Sequence, residues 1–153
     1  MTTSDTVIAI VDRLQDREGA LLPVLHDVQR ALGYIPPEAV AVVAERMNLS
    51  RAEVHGVISF YHYFRSTPPG RHTVYLCRAE ACQSMNARAL EQHAKQRLGV
   101  SFHETTADGA FSFEPVYCLG NCALSPAMMI DGHPYGRVTP QRFDTVVSDW
   151  EKR

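Results

Sequence analysis

Four cysteines carry the distinctive chemistry of this chain, and they stand as two close pairs. Cys77 and Cys82 bracket Arg-Ala-Glu-Ala, and Cys118 and Cys122 bracket Leu-Gly-Asn. Thirty-five residues separate the pairs. Such thiol pairs, joined by a long ordered stretch, suit a site where four thiolates converge from two loops. Three chemistries compete for it. A structural zinc takes four thiolates, but its pairs favour a gap of about two residues. The gaps here are four and three. A redox dithiol uses Cys-x-x-Cys, which neither pair has. An iron–sulfur cluster accepts varied spacings, because its two irons are separated and bridged by sulfide. Spacing favours the cluster and leaves the other two open.

The elements around the cysteines are legible as an alternation of strands and helices after Thr67-Pro68-Pro69-Gly70. Residues 71–77 have strand character and end on the first cysteine. Residues 84–98 read as a helix with Ala87, Leu90, Ala94 and Leu98 on one face, closed by Gly99. Residues 100–105 read as a strand, followed by the turn Ala107-Asp108-Gly109. Residues 111–117 form another strand running into the second pair. Residues 127–130 and 135–138 flank Asp131-Gly132 as a hairpin. Thr139-Pro140 then caps a helix bearing Phe143, Val146, Val147 and Trp150. The expected order is β-α-β-β-β-α with one strand irregular, a mixed sheet with helices packed on it. Both cysteine pairs fall where strands give way to loops, so a rigid scaffold aims them. Gly120 and Asn121 both tolerate positive φ and so allow a tight chelating turn, while Pro115 and Pro126 stiffen its approaches.

Before residue 67 the signals are helical. Val7, Ile8, Ile10, Val11 and Leu14 recur at helical spacing behind a Ser4/Asp5 start. A second helix spans 22–32 and ends at Gly33, and Pro37 opens a third that stops near Asn48. Ser50 and Glu53 form a capping box for a fourth, which runs into the aromatic stretch 60–64. The fold class expected is α+β: a helical bundle over 1–66, then a mixed sheet with flanking helices over 67–153.

Composition narrows the function classes. Net charge is −2, with 45% hydrophobic and 21% charged residues, which gives no basic footprint for nucleic acid and no sign of disorder. The apolar runs are too short to span a bilayer, and the amphipathic helices before residue 67 carry no basic face for a membrane surface. The amino-terminal residues lack a basic start and an apolar stretch, so a cytoplasmic location is expected. There the thiols stay reduced or ligate metal. No Gly-x-Gly-x-x-Gly and no Gly-Lys-Ser/Thr occurs, so no nucleotide or flavin phosphate site is signalled.

The motifs around the cysteines add to this. Cys118-Leu119-Gly120-Asn121-Cys122-Ala123, followed by Ser125-Pro126, resembles the C-L-G-x-C-x segment of the thioredoxin-like [2Fe–2S] ferredoxin family. Gly56-Val57-Ile58-Ser59-Phe60-Tyr61 resembles its G-V-x-x-F-Y motif, and residues 22–36 resemble a helical segment near its amino terminus. The family includes the 24-kDa-type subunit of respiratory complex I and small subunits of NAD-linked hydrogenases and formate dehydrogenases. The resemblance implies a thioredoxin-like domain holding one [2Fe–2S] cluster, with Cys77 and Cys82 on one iron and Cys118 and Cys122 on the other. It implies electron transfer beside an FMN/NAD-binding flavoprotein subunit, with no catalytic residue on this chain. The compact length and the stop soon after Trp150 resemble the γ subunit of a soluble NAD-dependent formate dehydrogenase. The equivalent subunit of NADH–quinone oxidoreductase or an NAD-reducing hydrogenase is the alternative, and a zinc-stapled binding module the remote one.

Other residues have plainer readings. The aromatic run 60–64 is expected in the core or at an inter-domain hinge rather than on a docking surface. His72 and His133 are candidate neighbours of the cysteine loops, but with four thiols available none of the seven histidines is required as a ligand. Met128 and Met129 read as packing residues. Arg78 should stabilise negative charge at the cluster and Glu80 oppose it.

Overall fold

The computed structural model describes residues 2–153, and the chain divides into two compact units, one ending at Pro68 and the other spanning Pro69–Arg153. The first is all helical: α1 (Thr3–Leu14), α2 (Leu21–Leu32), α3 (Pro37–Arg46) and α4 (Arg51–Phe60). Thr2 rather than Ser4 caps α1, and the Thr2 hydroxyl and Asp5 carboxylate each accept from the other residue's backbone N–H. Ser50 and Glu53 form the expected capping box of α4, and Gly33 ends α2 in the left-handed region, at φ 82°. Val7, Ile10, Val11, Val24, Leu25, Val28, Val43 and Val54 make the core, so the amphipathic faces pack on each other. The aromatic run meets the core expectation only at its end. Phe64 is buried, but Phe60, Tyr61 and Tyr63 are exposed, because α4 ends at Phe60 and the turn after it faces solvent.

The second unit holds a five-stranded sheet in the order β2-β3-β1-β4-β5. Its strands are β1 (His72–Cys77), β2 (Glu104–Thr105), β3 (Phe111–Val116), β4 (Met128–Ile130) and β5 (His133–Tyr135). β1 and β3 are parallel, from His72↔Phe111 to Cys77↔Val116, and the remaining pairings are antiparallel. The sheet is therefore mixed and the class α+β, as the sequence implies. Alternation puts Val74, Leu76, Phe111, Phe113, Met128 and Ile130 in one core with α6 (Ala87–Leu98) and α7 (Pro140–Glu151), through Leu90, Ala94, Phe143, Val147 and Trp150.

Three elements differ from the sequence reading. The helix expected from residue 84 is two: a short α5 (Glu80–Ser84), then α6 from Ala87, broken where Asn86 turns left-handed at φ 67°. The strand expected over 100–105 is reduced to β2, because the chain turns at Phe102 and His103, the latter at φ 67°; the Phe102 ring stacks on Phe113 at 4.5 Å. The hairpin partner is β5 at 133–135 rather than 135–138, because Asp131 and Gly132, at φ 46° and 83°, turn the chain within two residues. Among the described residues no helix is long and apolar enough to cross a membrane.

Candidate metal centre

The two cysteine loops leave the carboxyl ends of the parallel pair β1 and β3, the end of such strands where ligands are commonly held. Cys77 is the last residue of β1, and Cys82 follows within α5. Cys118 comes two residues after β3, and Cys122 opens a single 3-10 turn, Cys122–Leu124. Main-chain bonds tie the loops together. Cys77 N–H donates to Ala127 O at 3.1 Å, and Arg78 N–H to Val116 O at 2.7 Å.

All four thiols are free, the first pair buried and the second exposed. Cys118 and Cys122 sulfurs lie 3.6 Å apart. Two thiolates on one tetrahedral metal at about 2.3 Å stand about 3.8 Å apart, so this pair fits one metal. Cys82 lies close enough to Cys77 and to Cys122 for each to feel its charge. The Leu119 N–H, from the second loop, points at the Cys77 sulfur of the first. The two pairs thus lie near each other at the carboxyl ends of β1 and β3.

The local electrostatics differ between the pairs. Burial pushes the Cys77 thiol up, opposed in part by the Ala79 N–H beside it. The Gly120 N–H, 3.2 Å from the Cys118 sulfur, holds that thiol down, and Cys122 reinforces it. Cys122 is raised chiefly by its neighbour Cys118. Cys118 is therefore the thiol of its pair that ionises first. Its own backbone carries the strain of the turn: φ is 134°, a region a non-glycine residue occupies at a cost of about 1–3 kcal/mol. The turn needs Gly120 at φ 72°, but Asn121 has an ordinary negative φ of −106°. The positive φ expected of Asn121 falls instead on Cys118.

Some charged and aromatic neighbours lie elsewhere than expected. The Arg78 side chain turns from the cysteines to Glu91, 3.0 Å away, and over the Phe102 ring. His72 stands at the opposite end of β1 from Cys77, bonded to Asp131 at 2.7 Å and set against the edge of Trp150. His133 packs on the same Trp150. Neither histidine neighbours the cysteine loops. Sequence reasoning placed Ser125 in the motif after the second pair but not its contact with the first: it is buried, with its oxygen 3.6 Å from the Cys82 sulfur. Its signal was its place three residues after Cys122.

Comparison with known proteins agrees with the cysteine geometry. The profile of the thioredoxin-like [2Fe–2S] ferredoxin family matches residues 7–151. The HndA component of the NADP-reducing hydrogenase of Solidesulfovibrio fructosivorans is 34% identical, the match covering 94% of this chain and 84% of that protein. NADH–quinone oxidoreductase subunit 2 of Thermus thermophilus is 33% identical over 88% of this chain and 75% of its own. Among solved structures, the NAD+-reducing [NiFe]-hydrogenase in its air-oxidized state aligns with 86% of this chain at a TM-score of 0.71 and 26% identity. There the chain spans 23% of the longer protein's length. Two cysteine pairs at the ends of parallel strands and a match over almost the whole sequence agree: the chain belongs to the thioredoxin-like [2Fe–2S] ferredoxin family, whose cofactor is a [2Fe–2S] cluster.

Proposed function

We propose that this chain is an electron-transfer subunit of an NAD-linked oxidoreductase, in which Cys77 and Cys82 hold one iron of a [2Fe–2S] cluster and Cys118 and Cys122 the other. The observation that carries the reading is the convergence of two thiol pairs, 3.6 Å apart within the second, from adjacent parallel strands. When bound, the cluster supplies one-electron storage and transfer. The chain's own residues do the rest. N–H groups of Ala79, Leu119 and Gly120 face thiolate sulfurs and favour their negative charge. Burial of Cys77 and Cys82 keeps water from one pair, and the exposure of Cys118 and Cys122 leaves the other open to a partner. Hydride exchange with NAD needs a two-electron carrier, and the sequence carries no nucleotide-binding motif. The proposal therefore places FMN and NAD on a flavoprotein partner. Residues 1–66 and 67–153 serve in it as a helical domain and a cluster domain.

Among the described residues, the large apolar side chains exposed in the second unit are Met85, Tyr117 and Leu124, at 57%, 64% and 41%. Each lies within three residues of a cysteine. Exposed apolar surface rimmed by polar groups marks interaction sites, which supports docking of the flavoprotein beside the cysteines. Tyr117→Glu should weaken that association at least tenfold while iron content stays at the wild-type level. Unchanged co-purification with the flavoprotein would remove this face from the interface.

Within NAD-linked complexes, the sequence resemblance favours a formate dehydrogenase, with formate oxidised on another subunit and NAD reduced at the flavoprotein. A hydrogenase or NADH–quinone oxidoreductase subunit is the second reading, favoured by the names of the relatives. The test is anaerobic purification of the chain with its neighbours. Expected are about two irons per chain, a rhombic paramagnetic signal after dithionite, a flavoprotein in the same peak and formate-dependent NADH formation. One zinc and no iron would overturn the ligand assignment. Full iron with a hydrogen- or quinone-dependent activity would move the chain to the second reading.

A further inference from the structure

Ser112 and Ser125 are the polar residues buried in the described chain. Ser112 has a structural explanation: its oxygen accepts from Gly70 N–H at 2.8 Å and bonds Thr105. Ser125 lies between the two cysteine pairs. Its hydroxyl donates to the Cys122 carbonyl oxygen at 2.7 Å, while its oxygen stands 3.6 Å from the Cys82 sulfur. With Cys82 as a thiol the chain of bonds runs one way, from Cys82 S–H to Ser125 Oγ and from Ser125 O–H to Cys122 O. A ligated sulfur has no hydrogen to give and can only accept. The one hydrogen left on the line between Ser125 Oγ and Cys82 Sγ is then the hydroxyl's own.

We propose that the Ser125 hydroxyl is a rotating donor that turns from the Cys122 carbonyl to the Cys82 sulfur as the site gains an electron, and so raises the reduction potential. This rests on the ligand assignment given under Proposed function. Rotation about one C–O bond is the whole movement; the hydrogen stays on Oγ, and the electron comes from the partner's flavin. The carbonyl released by the turn is not orphaned, because Ser125 N–H already donates to it at 3.3 Å. Added negative charge on sulfur strengthens a bond to it, so the donor favours the reduced form over the oxidised one. Through Ser125 the second cysteine loop also senses charge on the first. Ser125 is a positioning residue and touches no substrate.

The experiment is a redox titration of the full chain carrying its own cluster, in wild type, S125A, S125T and S125V. A net hydrogen bond of about 1 kcal/mol is about fivefold in the reduced-to-oxidised ratio. At 59 mV per tenfold for one electron, S125A should titrate about 40 mV lower. S125T keeps the hydroxyl and should stay near wild type, whereas S125V has the same shape without it and should follow S125A. In deuterium oxide, pulsed hyperfine spectroscopy of reduced wild type and S125T should show one exchangeable hydrogen coupled to the electron spin beyond the backbone N–H groups that all four proteins share, and that extra coupling should be missing from S125A and S125V. Full iron with wild-type potentials in S125A and S125V would overturn the proposal. If neither variant takes up iron, exchangeable couplings in wild type and S125T that the backbone N–H groups account for in full overturn it. A wild-type chain without iron would instead sink the ligand assignment itself.

Discussion

Cys118→Ala should abolish the metal centre and leave the fold intact. Losing a residue that merely orients a metal ligand costs about 10–100-fold in affinity, so losing a sulfur ligand should exceed that. Iron per chain after anaerobic desalting is expected to fall by more than about tenfold. Cys118 is exposed, so its removal opens no cavity, and the metal-free variant should unfold within about 0.5 kcal/mol of metal-free wild type. Cys82→Ala makes the contrast. It should lose iron equally, but Cys82 is buried at 2% exposure, and its metal-free form should also lose about 1 kcal/mol of stability. Iron content with parallel urea unfolding of metal-free protein separates the two roles. Wild-type iron in Cys118→Ala would remove this residue from the ligand set.

Gly136→Ala should disable the same site from outside it. A Cβ at Gly136 would stand 2.5 Å from Leu124 Cβ, 2.9 Å from Leu124 O and 3.0 Å from Asn121 Nδ2. All three atoms belong to the second cysteine loop, and the two nearest, Leu124 Cβ and Leu124 O, are fixed to the main chain rather than the free end of a flexible side chain. The loop must move, although the Arg137 N–H bond to Leu124 O at 2.6 Å pins it from the same side. Overpacking of this kind costs about 1–3 kcal/mol. For a unit of this size that lowers the melting temperature by about 10 °C. Iron retention should drop with it, since Cys122 rides on the displaced turn. An alanine variant with wild-type melting and full iron would show that the loop yields freely.

The sequence marks the pairs, the strands that deliver them and the helices that back the sheet, because each leaves a periodic or capping trace. What it hides has physical reasons. α5 is five residues long, shorter than the window in which helical periodicity is visible, so Cys82 reads as a loop residue although it sits on a helix. Phe102 and Val100 look like a strand by composition, yet the chain turns at His103, at φ 67°, and Phe102 stacks on Phe113. The left-handed residue of the second loop is Cys118, where ordinary propensity places Asn121, because the turn is set by where both sulfurs must point. His72 and His133 lie near the cysteines in no sense that strand order alone conveys; β1 carries His72 at one end and Cys77 at the other. Phe60, Tyr61 and Tyr63 show the opposite failure, since apolar composition implies burial and α4 stops before it can provide it.

The parallel pairing of β1 with β3 works as a caliper. Neighbouring strands keep about 4.8 Å between them whatever joins them. With Cys77 opposite Val116, the gap between the two loops is set by that register. The thirty-five residues between Cys82 and Cys118 form a closed excursion that leaves and rejoins at the same edge. Length can accumulate at the Thr106–Gly109 turn, beyond the far ends of these strands, without opening the gap between the two cysteine loops. Kinship in such proteins is better sought in the two short spacings and the strand ends they hang from than in the count of residues between them.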